Sequence, residues 1–228
     1  MPYIEIARKL VIAGKNLKTT YIMNVGGTGS LIIPTEPLLT SIDYEPFWIA
    51  YFQHAADSTA YRSYADARFP KFATLLQRYH DIRQTPADEW DDEDLEFIDD
   101  MAIFAKSRIT QSHFIMAARA SLLFFDGQTE FKWTFLSPPP GFKPGPKTGK
   151  YEIGDRALLP VDGSQEPPYE GRLLGITVKD LAGVIADEVE SRKMQGKHWT
   201  VWTPKEFAVD QPIKDLYGTL AEVQQEGN

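Results

Sequence analysis

The stretch Thr19-Thr20-Tyr21-Ile22-Met23-Asn24-Val25 runs directly into Gly26-Gly27-Thr28-Gly29-Ser30 and decides the fold. Its first part is rich in β-branched and aromatic residues, which is typical of a buried strand, and the glycines after it predict a turn. A second stretch of this kind covers Phe131 to Ser137 (FKWTFLS) and ends in Pro138-Pro139-Pro140-Gly141. Both strands therefore end in loops whose backbone a ligand can approach closely.

Helical patterns separate these strands along the chain. Apolar residues at helical spacing predict a helix from Tyr3 to Gly14, with Gly14 as its end, and an amphipathic helix from Phe114 to Phe125. Thr177 and Asp180 form the capping box of a third helix, whose apolar face is expected to carry Val178, Leu181, Ala182, Ile185 and Val189. Alternating strands and helices indicate the α/β class with a parallel sheet, whose ligands bind beyond the carboxyl ends of the strands.

Shorter elements follow in the second half of the chain. Lys150 to Gly154 is expected to form a short strand that pairs with Leu158 to Val161. His198 to Trp202 is expected to form the last strand, and the tail from Asp210 a short helix that frays.

The segment 41–111 is predicted to be a long, mostly helical insertion. Tyr44 to Tyr64 is rich in aromatic residues, and Phe69 to Ile82 has a helical pattern. Five of these aromatic residues either cover a substrate pocket or belong to a core or an interface, namely Tyr44, Phe47, Trp48, Tyr51 and Phe52. Nine of the fifteen residues from Pro86 to Asp100 are acidic. We expect a solvated loop that leads into a helix N-terminus, where the helix dipole favours acids. A calcium site is the alternative, although the spacing lacks the glycine and the terminal glutamate of a calcium loop.

The composition excludes several classes of protein. The chain has 228 residues, of which 43% are hydrophobic and 25% charged, as expected of one globular domain. It has no cysteine, which excludes disulfides, thiolate catalysis and iron–sulfur clusters. The net charge of -8 argues against a nucleic-acid partner, and no apolar run is long enough to span a membrane. The first residues lack the features of a signal peptide, so a cytoplasmic location is expected.

Four motifs resemble those of one protein family and occur in the same order. They are Val25 to Ser30 (VGGTGS), Lys132 to Pro138 (KWTFLSP), Pro144 to Tyr151 (PGPKTGKY) and Val178 to Ala182 (VKDLA). Together they resemble the NmrA-like, NAD(P)H-binding atypical short-chain dehydrogenases, in particular the group called NADH-flavin reductase-like. The resemblance covers residues 2–35 and about 112–203, that is, the carboxyl half of that family.

This resemblance implies an incomplete Rossmann-type parallel sheet in a single domain over residues 1–228. The family-like core would consist of residues 2–40 and 112–203, with 41–111 as the insertion and 204–228 as a tail. The implied function is oxidoreductase activity, in which a hydride passes from NADPH or NADH to a flavin, quinone or enone-type small molecule. The implied cofactor-binding residues follow the two strands and are Gly26, Gly27, Gly29, Ser30, Ser137, Pro138 and Pro139.

One departure from the family leaves other functions open. The family's first strand and its G-x-x-G-x-x-G turn, which holds the cofactor pyrophosphate, have no counterpart in the sequence. The alternative function is therefore a non-catalytic protein that senses a cofactor or metabolite or binds a partner. A third interpretation is an incomplete gene product, whose open sheet edge would drive association. A homo-oligomer is expected to benefit from pairing at that edge, and no metal site is expected.

The catalytic residues are less well defined by the sequence. Short-chain dehydrogenases use a Tyr as proton donor and a Lys four residues later that lowers its pKa. Tyr64 and Arg68 have this spacing, with Arg in place of Lys, and the alternative is that they simply cover a helix surface. Phe142 and Lys143 either face the substrate or fill a loop. The histidines are expected at the surface or hydrogen-bonded in the core, and Ser30 and Ser137 lack the G-x-S-x-G elbow of a nucleophile. The four histidines are His54, His80, His113 and His198.

Overall fold

The structure is a computed structural model that describes residues 2–17, 21–33, 37–107, 113–162 and 173–211. The helices are α1 (Pro2–Leu17), α2 (Glu45–Asp57), α3 (Thr59–Arg68), α4 (Pro70–Gln84), α5 (Asp92–Lys106), α6 (His113–Phe125) and α7 (Val178–Ser191). The strands are β1 (Tyr21–Val25), β2 (Ile32–Ile33), β3 (Leu39–Thr40), β4 (Lys132–Leu136), β5 (Gly141–Lys143), β6 (Glu152–Gly154), β7 (Gly175–Thr177) and β8 (His198–Trp202).

The central sheet has the strand order β1-β4-β8-β6. Strand β4 is parallel to both β1 and β8, and β6 is antiparallel to β8. Two small sheets accompany it, antiparallel β2-β3 and parallel β5-β7. The predicted α/β class with a partial parallel sheet is confirmed.

Strand β1 is less buried than its sequence predicts. Its first four residues are half-buried and Val25 is exposed, whereas β4 is buried from Trp133 to Leu136. The reason is its position, because among the described residues β1 pairs with β4 on one side and with no strand on the other. Strand β1 is therefore an edge strand of the sheet that the structure describes.

Helices cover both faces of the sheet. Because strand side chains alternate, Trp133 and Phe135 of β4 pack with α1 and α6, while Leu136 packs with α7. The expected end of α1 at Gly14 is wrong, since the helix continues to Leu17. Gly14 instead permits close packing, because a Cβ at this position would lie 2.8 Å from the Phe131 ring. Helix α6 ends as predicted, with Gly127 in the left-handed region at φ +74°.

The insertion is mostly helical, as predicted, and helices α2 to α5 build a core of their own. Buried side chains from α2, α4 and α5 form one cluster with Leu31 and Ile33, which follow the glycine loop, and with Leu159 and Leu173. The acidic run leads into α5, where the Asp91 carboxylate caps the helix by accepting from the Asp94 N–H. Helices α2 to α5 are therefore joined by a common apolar cluster to residues that precede and follow them in the sequence.

Two details of the second half differ from the sequence prediction. The predicted hairpin is wrong: β6 pairs with β8, while Leu158 forms an isolated bridge with Ile32 and Val161 with Leu173. The predicted fraying helix from Asp210 lies outside the described residues, except for its first two positions.

Helix α7 begins as predicted, because the Thr177 hydroxyl accepts from the Asp180 N–H. Its buried face, however, includes two carboxylates, Asp180 and Glu188, while Val178 and Val189 are exposed. The carboxylates are buried because each accepts several hydrogen bonds. Glu188 accepts from the Met194 N–H and from the Tyr21 hydroxyl, and thereby joins α7 to β1.

The Asp180 carboxylate organises the loop before β6. It accepts from the Thr148 N–H and the Gly149 N–H, both at 2.8 Å, and from the Thr148 hydroxyl at 2.6 Å. Burial opposes ionisation of this group, but the hydrogen bonds outweigh it and lower the pKa of Asp180. The loop over 144–149 is therefore fixed to the first turn of α7.

We expect Asp180→Ala to lower the free energy of unfolding by about 2 kcal/mol, because two backbone N–H groups lose a charged acceptor. Urea unfolding at neutral pH measures this loss. Asp187→Ala on the exposed side of α7 is the matched control and should change stability by less than about 0.5 kcal/mol. Equal effects of the two substitutions would contradict the role assigned to Asp180.

Candidate functional site

A cavity of about 510 Å³ lies beyond the carboxyl ends of β1 and β4. The loops after these strands supply one set of lining residues, Gly26 to Gly29 and Pro138 to Pro140. Helices α2 and α3 supply a second set, which is aromatic and consists of Phe47, Trp48, Tyr51, Tyr61 and Tyr64. Phe142, Lys143, Val178 and Leu181 complete most of the lining. The volume is in the range of small-molecule sites.

The two loops are held together directly. The Thr28 hydroxyl donates to the Pro138 carbonyl at 3.0 Å, and the Gly26 N–H donates to the Leu136 carbonyl at 2.8 Å. Gly26 is required by packing, since a Cβ there would lie 2.2 Å from the buried Phe135 ring. The glycine loop therefore packs on the sheet with one side and lines the cavity with the other.

Two predicted cofactor residues, Ser30 and Ser137, lie next to the two loops but outside the cavity lining. Both are buried, and their hydroxyl oxygens are 2.6 Å apart. The Ser30 hydroxyl donates to the Gly27 carbonyl at 2.8 Å, and the Ser137 hydroxyl lies 2.8 Å from Nε2 of His198. Neither serine lines the cavity. Their role in this structure is to position the loops.

The other predicted residues divide between the cavity and the surface. Gly26, Gly27, Gly29, Pro138 and Pro139 all line the cavity, as does Tyr64. Arg68 is exposed one turn further along α3 and is not part of the lining. The structure therefore brings together most of the predicted cofactor residues but does not bring Arg68 to the cavity with Tyr64.

From the sequence, Tyr51 was one of the aromatic residues that either cover a pocket or belong to a core, whereas Tyr61 was not identified as a site residue. Tyr51 and Tyr61 come from α2 and α3, and their hydroxyl groups are hydrogen-bonded to each other at 3.1 Å. Burial raises the pKa of both phenols, so both are neutral hydrogen-bonding groups at physiological pH. The aromatic-rich segment was the signal for them, but its place beside the glycine loop depends on tertiary packing. Val178 and Leu181 belong to the fourth family-like motif.

Among the residues that the structure describes, Lys143 is the only charged one that lines the cavity. Its ammonium lies 3.1 Å from the Asp210 carboxylate, which also accepts from the Ser58 hydroxyl and from the N–H groups of Thr59 and Ala60. Burial raises the pKa of Asp210, but the bonds from Ser58, Ala60 and Thr59, together with Lys143, outweigh it and lower the pKa to about 2. Lys143 is therefore held in place by a fixed negative partner.

The three histidines whose side chains the structure describes have separate surroundings. His54 lines a neighbouring cavity of about 370 Å³, His80 pairs with Asp57 at 3.1 Å, and His198 contacts Ser137. Across the ranges that the structure describes, no group of three or more His, Asp or Glu residues is placed to hold a metal ion. Within the same ranges no helix is long and apolar enough to cross a membrane.

No protein-family model and no curated protein matches the chain. Three solved structures with similar folds are a candidate exported protein from Burkholderia pseudomallei, a candidate epimerase from Bacteroides thetaiotaomicron and a candidate NADH-flavin reductase from Streptococcus pneumoniae TIGR4. Their identities to this chain are 18%, 19% and 17%, and their TM-scores 0.48, 0.44 and 0.46.

The alignments cover 88%, 82% and 88% of this chain but only 63%, 54% and 65% of those chains. The chain thus spans less than two thirds of each of them.

Burial of His54 and His198 gives the protein a specific pH dependence. Burial lowers the pKa of each imidazole to about 4, and for His54 the positive charge of Lys143 lowers it further against the opposing effect of Asp210 and Asp57. In the unfolded chain a histidine titrates near pH 6.5, so between about pH 6.5 and about pH 4 the unfolded state binds protons that the folded state does not. Stability therefore falls as the pH falls through this range.

We expect the free energy of unfolding to decrease by about 2 kcal/mol for each of these two histidines between about pH 7.5 and about pH 5. Urea unfolding at both pH values measures the decrease. His198→Gln keeps a hydrogen-bonding group beside Ser137 but cannot titrate, so it should remove about half of the decrease, and His54→Gln a similar share. If neither substitution reduces the decrease, the pKa values assigned to these histidines are wrong.

Proposed function

We propose that the protein binds the nicotinamide end of NADPH or NADH in the cavity and reduces a flat small molecule of the flavin, quinone or enone type. The composition of the cavity lining supports this proposal. The backbone of glycine and proline residues forms one part of the lining, and five aromatic side chains from α2 and α3 form another. Flat rings pack well against both kinds of surface. The resemblance of four motifs to reductases of this kind supports it independently.

The lining fits a hydride transfer, for which the reduced nicotinamide supplies the hydride. The aromatic residues of α2 and α3 would exclude water from the reacting rings, and the loops at 26–29 and 138–140 would orient them. The Lys143 ammonium would stabilise negative charge that develops on an acceptor oxygen. The neutral hydroxyl groups of Tyr51 and Tyr61 would add hydrogen-bonding capacity without charge.

A second candidate function is binding without turnover, in which the protein senses the cofactor or a metabolite. In the described part of the chain, no glycine-rich turn opens a helix in the way that holds a pyrophosphate. Such a turn supplies several backbone N–H donors and the positive end of a helix dipole. The same lining would serve a sensor, because glycine and proline backbone and aromatic rings bind a flat ring whether or not it reacts.

We expect millimolar NADPH or NADH to raise the melting temperature of the protein by roughly 5–10 °C. This corresponds to roughly 2.7 kcal/mol for a ligand at a hundred times its dissociation constant. Val178→Trp should abolish the rise, because Val178 is exposed at the start of α7 and lines the cavity. Val189→Trp on the same helix is the matched control, since Val189 is exposed and lies outside the cavity.

The outcomes of this experiment separate the two functions. If a cofactor raises the melting temperature and the protein also reduces a quinone or flavin, the reductase is supported. A rise without turnover of any such acceptor supports the sensor. A cooperative unfolding transition that neither cofactor shifts would contradict nicotinamide binding, and with it the reductase and the cofactor sensor.

We expect Tyr64→Phe and Arg68→Met to change kcat by less than about threefold, because the proposed mechanism positions the reacting rings and Arg68 does not line the cavity. Steady-state reduction of a quinone by NADPH measures this. Loss of a general acid typically lowers the rate by about 10²–10⁴. A hundredfold loss in both variants would identify the pair as catalytic and contradict a mechanism based on positioning alone.

A further inference from the structure

A second cavity, of about 350 Å³, adjoins the candidate site within the insertion. Phe52 of α2, Phe72 of α4 and Phe104 of α5 line it, together with Phe69 between α3 and α4. Tyr61, Tyr64 and Ala65 of α3 complete the lining. Tyr61 and Tyr64 also line the candidate site, so the two cavities meet at these side chains.

The lining of this second cavity is mostly apolar. Six of its seven residues are aromatic, the seventh is an alanine, and none is charged. Its polar side-chain groups are the hydroxyls of Tyr61 and Tyr64, and the Tyr61 hydroxyl is hydrogen-bonded to that of Tyr51. A ligand group with several polar atoms would therefore find few hydrogen-bonding partners here to replace water. The cavity therefore selects a hydrocarbon group.

Two phenylalanines at this cavity are more exposed than a closed core requires. Phe69 is 59% exposed and Phe104 is 39% exposed, while Phe52, which packs on Phe104 with ring centroids 5.3 Å apart, is buried. Large apolar side chains beside an apolar cavity are typical of a ligand-binding surface. The exposed rings thus indicate an apolar ligand that enters from this side.

We propose that the molecule reduced in the candidate site carries a hydrocarbon chain on its flat ring, and that this chain lies in the second cavity. This inference rests on the proposed function and narrows its substrate class to prenylated quinones. The flat ring would occupy the first cavity, and the chain would pass Tyr61 and Tyr64. A flavin nucleotide fits less well, because its ring carries a chain of hydroxyl groups that the aromatic lining cannot pair.

The test compares menadione with its singly prenylated derivative by calorimetric titration of the purified protein, without and with NADPH. Each buried methylene strengthens binding by about fourfold, so we expect the prenylated quinone to bind at least about tenfold more tightly. Phe104→Ala should remove most of this gain and leave menadione binding unchanged. Ile103→Ala is the matched control, because Ile103 is 65% exposed on the same helix and does not line the cavity.

The outcomes separate this inference from the proposed function. Equal affinities for the two quinones, or equal effects of Phe104→Ala on both, would overturn the hydrocarbon-chain site while the reductase remains supported. Tighter binding of the prenylated quinone without reduction by NADPH would support the chain site and overturn the reductase. If neither quinone binds, both the chain site and the quinone reductase are overturned.

Discussion

The hydrogen-bond chain from His198 through Ser137 to Ser30 is the interaction on which the site depends. It joins the start of β8, the end of β4 and the loop after β1, and both serines are buried. Water cannot replace a hydrogen bond that is lost at this depth, so the chain fixes the loops at 26–29 and 138–140 relative to each other. The parallel strands bring these loops to one edge of the sheet. The buried hydrogen bonds keep the loops at the separation that leaves a cavity.

The insertion contributes as much to the site as the sheet does. Its helices α2 and α3 carry the aromatic side chains of the lining, and its apolar cluster includes Leu31 and Ile33, directly after the glycine loop. The Asp210 carboxylate fastens α3 by accepting from its first N–H groups and holds Lys143 at the same time. Asp210 therefore positions both the Lys143 ammonium and the start of α3, the helix that carries Tyr61 and Tyr64 of the lining.

The sequence was sufficient to predict the sheet and the loops that form one part of the cavity, because local patterns encode strands, capping boxes and glycine turns. It did not predict that Ser30 and Ser137 face away from the cavity, since the direction of a loop side chain depends on the buried partner that it finds. It also missed the role of Tyr61 and the burial of Asp180 and Glu188. These carboxylates were not among the residues expected on the buried face of α7, and their burial is favourable because the loop at 148–149 and the residues after α7 supply N–H donors to them.

The chemistry of the lining limits the reactions that the cavity supports. Its described residues include no carboxylate and no imidazole, and its one charge belongs to Lys143 beside Asp210. In the proposed reduction, the hydride adds two electrons to a conjugated acceptor, so the acceptor also gains a proton, which solvent or the Lys143 ammonium would supply. Surfaces that orient flat rings and one cation beside the acceptor oxygen are what this reaction would need from the lining.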